Sequence, residues 1–254
     1  MKRAIYLSVL VVITVGCILW RVGSDAFGWF HSANEVKQGT ETVSEGTQVL
    51  DAFSEISVES DVMDVTIQKG TDYSLSYHTA GKNAPTYSVK DGVLSVTQKQ
   101  HKRHWNLGMM ENQSAAMTIT VPEDAVLKDV DITANVGDVD IKGIATERLA
   151  CELDVGDMTV KNAELGESTI DADVGDVTLD KVKAKNLEVT ADVGDVEASL
   201  TGERDAYDIS FDCGVGEATL NGERVKKNTQ IHAADVEGKI EVSADVGDID
   251  VFIE

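Results

Sequence analysis

Through the second half of the chain, small aliphatic residues alternate with polar ones in short runs. The phase of that alternation slips by one residue at a recurring triplet. Val136-Gly137-Asp138 returns as Val155-Gly156-Asp157, Val174-Gly175-Asp176 and Val193-Gly194-Asp195, each 19 residues after the last. Val215-Gly216-Glu217 follows after 22 residues and Val246-Gly247-Asp248 after 31. Such a period marks stacked units, none of which can bury its apolar row alone. With the triplet valine as position zero, Ile132, Cys151, Ile170, Val189, Phe211 and Val242 stand at −4, and Ala134, Leu153, Ala172, Ala191, Cys213 and Ala244 at −2. Val130, Leu149, Ser168, Leu187, Ile209 and Ile240 occupy −6. This is the period-2 mark of a strand with one buried face. Alternation resumes at +3 and +5 (Val139 and Ile141 in the first repeat). The Gly-Asp step is therefore a corner, where glycine reaches positive φ without a Cβ penalty.

Each repeat reads as strand, corner, strand, turn, and the residues predict an all-β solenoid with equivalent corners in register. A two-sheet sandwich is the alternative for short, regular strands. The solenoid reading expects the six triplet valines to stack within a shared aliphatic ribbon. The pattern extends back to Ile56, Val58, Ser60, Val62, Val65 and Ile67, with Met63 in the place of glycine, so that corner must differ. Strands are also expected at 73–78, 87–97 and 116–121.

The Asp-Val-Gly-Asp-Val corners, the strand Lys90-Asp91-Gly92-Val93-Leu94-Ser95-Val96 and the strand Ala116-Met117-Thr118-Ile119-Thr120-Val121-Pro122 carry a resemblance. Residues 49–254 resemble the bacterial β-strand-repeat proteins named "putative adhesins", a domain of unknown function that includes the LiaG-like envelope proteins. The resemblance implies a right-handed, single-stranded, β-helix-like solenoid and an envelope location. It carries no catalytic residues.

The N-terminus changes the picture of where the repeats sit. Lys2 and Arg3 precede an uncharged run, Ala4 to Trp20, and Arg21 to Gly23 extend it by snorkelling. Residues 1–23 read as an uncleaved signal anchor, with lipidation at Cys17 and cleavage as alternatives. The basic flank stays cytoplasmic, so the expected product is a single-pass membrane protein with its repeats outside the cell membrane. Residues 24–48 are polar without a period and read as a linker, leaving 49–254 as the repeat domain.

A formal net charge of −23 argues against nucleic acid, whose affinity comes from Lys and Arg on phosphates. The three cysteines form no CxxC or Cys/His cluster, and Cys151 and Cys213 fall at core positions as free thiols. Asp138, Asp157, Asp176, Asp195 and Asp248, with Glu217, should form one row, and Asp154, Asp173, Asp192 and Asp245 a second. Carboxylates at strand spacing repel by about 1 kcal/mol in water and about 3–4 at an effective dielectric near 20. Turn hydrogen bonds to backbone N–H groups would relieve this, and so would a divalent cation such as Ca2+. No other cofactor is implied.

The one dense basic stretch, Lys99 to Trp105, offers Lys99, Lys102, Arg103 and Trp105 as contacts for an envelope protein or an anionic polymer. The C-terminal Val251-Phe252-Ile253-Glu254 reads as an uncapped strand through which copies could associate. The leading function is a non-enzymatic adhesin-like interaction or scaffold protein of the envelope, in adhesion or envelope stress. The alternative is a carbohydrate-active enzyme using the acidic rows, against which the near absence of aromatics in the repeats counts.

Overall fold

The computed structural model describes residues 43–80, 83–100, 115–233 and 236–254. The anchor read at 1–23 lies outside them, as does the linker before residue 43. No helix among the described residues is long and apolar enough to cross a membrane. The segment Glu41–Glu254 is one contact unit, and its described part is built from strands and a single 3-10 turn, Arg204–Ala206. The all-β reading holds, and the strands stack as solenoid-like rungs rather than as a closed sandwich.

Each rung gives one strand to each of two parallel sheets, with a corner between them. In spatial order, rung one is Val93–Gln98 with Ala116–Pro122, and rung two is Glu55–Ser60 with Asp64–Gly70. Rung three is Val126–Val136 with Val139–Lys142, and rung four is Ala145–Val155 with Met158–Lys161. Rung five runs from Glu164–Val174 into the start of the long strand Val177–Val193, whose second half opens rung six with Val196–Leu200. Rung seven is Gly238–Val246 with Ile249–Ile253, and rung eight is Tyr207–Val215 with Ala218–Leu220.

The register is the one the repeat predicts: Val136, Val155, Val174 and Val193 are successive Cα partners. The rows at −6, −4, −2, +3 and +5 are buried in one continuous core. Burying each Val, Leu or Ile contributes about 1.5–3 kcal/mol, which is how a chain poor in aromatics holds together. Cys151 and Cys213 are buried free thiols in these rows, and burial raises both pKa values.

The triplet valines themselves correct the expectation. They stack in register, but they are not in the core: Val215 is 66% and Val136 43% exposed. Burial jumps from −2 to +3, because a chain that turns outward around a corner directs the intervening side chains to solvent. The aliphatic ribbon is made by the rows on either side of the triplet.

A second correction concerns order. The C-terminal strand is not an edge. Rung seven pairs with rung six on one side and rung eight on the other. The same device operates at the opposite end, where rung two, the first in the chain, lies between rungs one and three. Both outermost rungs are then covered by antiparallel strands. Ser74–Ala80 and Thr86–Lys90 pair with the two strands of rung one, and Glu223–Val225 and Thr229–Ile231 with those of rung eight. Val43–Val49 adds to Ser74–Ala80, so residues 43–48, polar and without a period in the sequence, form most of a strand. Its bonds are main-chain bonds that need no apolar pattern.

Two residues test the stacking. At Gly175, φ is +150° and an added Cβ would lie 1.8 Å from the Gly156 carbonyl oxygen. Gly175→Ala is expected to cost about 3 kcal/mol or more in chemical denaturation, since backbone cannot give way there. Ser168 stands among Leu149 and Leu187 with its buried hydroxyl unpaired. Ser168→Val is expected to stabilise by about 1 kcal/mol, because an unsatisfied buried hydroxyl is replaced by the aliphatic group its row carries elsewhere.

Candidate functional site

The corner of each rung is built by two requirements. The glycines approach so closely that each carbonyl oxygen sits where the next glycine's Cβ would be, 2.0 Å for Gly156 over Gly137. Their N–H groups donate onward, Gly137 to the Val155 carbonyl and Gly156 to the Val174 carbonyl, both at 3.0 Å. The following aspartate N–H points back toward the previous rung, and no backbone acceptor faces it. The preceding aspartate side chain supplies one.

Asp157 N–H donates to Asp138 Oδ1 at 2.9 Å, Asp176 N–H to Asp157 Oδ1 at 3.0 Å, and Asp195 N–H to Asp176 Oδ1 at 2.9 Å. The chain of bonds then leaves sequence order. Asp248 N–H donates to Asp195 Oδ1 at 2.7 Å, and Glu217 N–H to Asp248 Oδ1 at 2.8 Å. At the other end Asp64 Oδ1 accepts from Asp138 N–H at 3.1 Å. The structure thus brings Asp138, Asp157, Asp176, Asp195 and Asp248 together in one row and adds Asp64, whose offset in Val62-Met63-Asp64 was the available signal.

This ladder explains the irregular repeats. Glu217 closes the row, so no later rung needs its oxygen, and the longer side chain instead bonds Arg224. Met63 stands at the ladder's other end, on the side of rung one, whose two strands are separated by residues 99–115 in the sequence. Its side chain is buried and its φ is not positive. Gln98 on rung one serves the Met63 corner: its Oε1 accepts from Asp61 N–H at 3.1 Å and Val62 N–H at 3.0 Å. Nothing in the sequence pattern singled out Gln98, because a buried amide has no period.

Outside the ladder lie the triplet valines, part-exposed at Val155, Val174 and Val193 and exposed at Val136, Val215 and Val246, and beyond them the second acidic row of Asp154, Asp173, Asp192 and Asp245. Asn135 begins this row, and Gly214 takes its place on rung eight. The result is a stripe along one corner of the stack, aliphatic in the middle and acidic on both margins. Burial raises the pKa of Asp192, reinforced by Asp173, Asp245 and Asp171. Burial likewise raises that of Asp64, with Asp138 and Asp140 adding to it and the bond from the Asp138 N–H opposing it. Among the described residues no three His, Cys, Asp or Glu side chains converge closely enough to hold a metal ion.

Of the basic candidates, Lys99 is exposed at the end of Val93–Gln98, next to the Gln100 N–H bond to Asp61 Oδ2 at 2.8 Å. Lys102, Arg103 and Trp105 lie outside the described residues. Tyr207 is buried and donates its hydroxyl to the Ala184 carbonyl at 3.0 Å, a structural use of an aromatic side chain.

The fold and this corner define an all-β protein of stacked, solenoid-like rungs. Residues 53–254 match the Toastrack DUF4097 model, and the chain belongs to that family; the resemblance read over 49–254 is thereby shown. A putative cell adhesion protein from Clostridium sporogenes is 17% identical, with 84% of this chain and 100% of that one covered and a TM-score of 0.48. A putative adhesin from Bacteroides fragilis is 16% identical, with 85% and 100% covered and the same TM-score, 0.48. A protein from Parabacteroides distasonis named a putative lipid binding protein is 13% identical, with 84% and 98% covered and a TM-score of 0.37. No curated protein sequence matches this chain.

The ladder makes two predictions. Asp157→Ala orphans the Asp176 N–H and is expected to cost about 1 kcal/mol, whereas Asp157→Asn keeps an acceptor oxygen, removes a like charge and should melt no lower than wild type. Because Asp64 and Asp192 hold protons more tightly folded than unfolded, their contribution to stability falls as pH rises from 3.8 through their raised values, and is level above. Asp192→Asn is expected to raise the melting temperature at pH 7 and to flatten that part of the pH profile.

Proposed function

We propose that this chain is a non-enzymatic, adhesin-like interaction module of the cell envelope, held to the membrane by residues 1–23 with its rungs on the outer side. The corner stripe carries this reading. A run of valines kept out of the core across successive rungs, part-exposed at Val155, Val174 and Val193 and 40–66% exposed at Val136, Val215 and Val246, is unusual for a surface that meets only water, and contiguous apolar patches rimmed by polar groups mark interaction sites. It agrees with the names of two structural neighbours, a putative cell adhesion protein and a putative adhesin. The uncharged run after Lys2-Arg3 supports the anchor, and an extracytoplasmic place is compatible with a role in adhesion or envelope stress.

The hydrogen-bond ladder favours a structural part for the inner aspartates. Their Oδ1 atoms already receive backbone N–H groups, and the exposed second oxygens keep the stripe acidic. The partner that fits is then a cationic, partly apolar protein surface. Lys99 and the basic stretch after it offer a separate contact for an anionic polymer.

Partner capture from envelope extracts by the full-length chain tests the reading. Val155, Val174 and Val193→Thr keep the β-branched shape and remove apolar surface. The substituted chain is expected to melt as wild type does and to lose the captured partner. Equal capture by both chains would refute the stripe. Melting with and without millimolar calcium is expected to give the same midpoint, and a rise would assign the acidic rows to cation binding instead.

A further inference from the structure

Rung six presents a sheet edge that two different segments of this chain are patterned to fit. Rung seven occupies it, with Leu187 on Ile240, Val189 on Val242, Ala191 on Ala244, Val193 on Val246 and Val196 on Ile249. Rung eight carries the same code. Its Ile209, Phe211, Cys213, Val215 and Ala218 pair with those same rung-seven residues in the same register. Set directly on rung six, rung eight would place Ile209 on Leu187, Phe211 on Val189, Cys213 on Ala191 and the Gly216 corner on Gly194. The buried positions from −6 to +5 would still meet an apolar neighbour, Leu200 alone exchanging Ile253 for Gly222, and the Glu217 N–H would find Asp195 Oδ1 in place of Asp248 Oδ1.

The connections allow it. Rung eight follows rung six directly in the chain through 201–206, whereas rung seven returns from 221–237 to enter between them.

We propose that rung seven, residues 238–254, is a displaceable insert, and that the stack closes behind it by docking rung eight onto rung six. The chain then has two closed arrangements. In one, all eight rungs are stacked. In the other, the stack is one rung shorter and the C-terminal strand pair is free. Release of the tail leaves no open slot, because the vacated edge is covered at once by a segment already tethered beside it. Two arrangements sharing most of their contacts are the requirement for a population shift, since only the differing contacts set the balance.

Paired cysteines in the full-length chain test this. Glu197, Asp250 and Thr219 are register partners across rungs six, seven and eight. Glu197 and Thr219 are therefore two strand spacings apart, about 9.6 Å, beyond the roughly 7 Å Cα limit for a disulfide. In the shortened stack they become direct partners within it. E197C/D250C is expected to oxidise rapidly and to lock the full stack. E197C/T219C is expected to oxidise more slowly but completely, within one chain. The trapped product should keep a cooperative melt while residues 238–254 become cleavable by protease.

Adding Val251→Asp buries an unpaired charge in the insert and should speed that cross-link by about tenfold or more. Failure of E197C/T219C to cross-link while E197C/D250C goes to completion would overturn the proposal. So would a cross-linked product, or a Val251→Asp chain, without a cooperative melt, since the rest of the stack would then depend on the insert.

Discussion

The close approach of successive glycine corners is the constraint from which the rest of this molecule follows. A carbonyl oxygen occupying the space of a Cβ allows no side chain there, and a φ near +150° admits few others in any case. That contact fixes the distance and rotation between rungs, and it leaves one backbone N–H per corner without a main-chain acceptor. An aspartate one residue later meets the need, and its carboxylate becomes the acceptor for the next rung. The triplet is thus a local solution to backbone hydrogen bonding, and the acidic row is its by-product before it is anything else.

What the corner sends outward defines the surface. Because the chain turns away from the core between −2 and +3, valine, glycine and both acidic positions face solvent together. An apolar row held between two rows of carboxylates is costly to expose, and burial raises the pKa of Asp192 in the outer row and of Asp64 at the end of the inner one. A structure that only needed to stack would do as well with threonine at the valine position. The interaction reading of the protein rests on that surplus of exposed aliphatic surface, more than on the carboxylates that first attract notice.

The ends of the stack follow a single logic. Neither the first nor the last rung in chain order is outermost in the stack; each is placed one rung in, and the edges are left to antiparallel strands, Val43–Val49 among them. Short cover strands such as Glu223–Val225 and the charged pair Arg224 and Glu217 make a poor template for further pairing. A solenoid without such covers would be expected to grow by edge association.

The sequence alone determined the period, the buried rows, the corner residues and the all-β class, because each of these is a local demand repeated in every rung. Gly156 adopts a φ of +154° that favours glycine within its own triplet, and Ile170 must face inward whatever its neighbour. The rung order was decided only in three dimensions. Residues 207–220 and 238–253 carry the same code, so alternation and spacing cannot say which lies on rung six, and the intervals of 22 and 31 residues register only that something differs. The outward aim of the triplet valines was hidden for a related reason. A period of two predicts position zero to be buried, and it is the corner's geometry, set by the packing of one glycine on another, that turns those side chains to water.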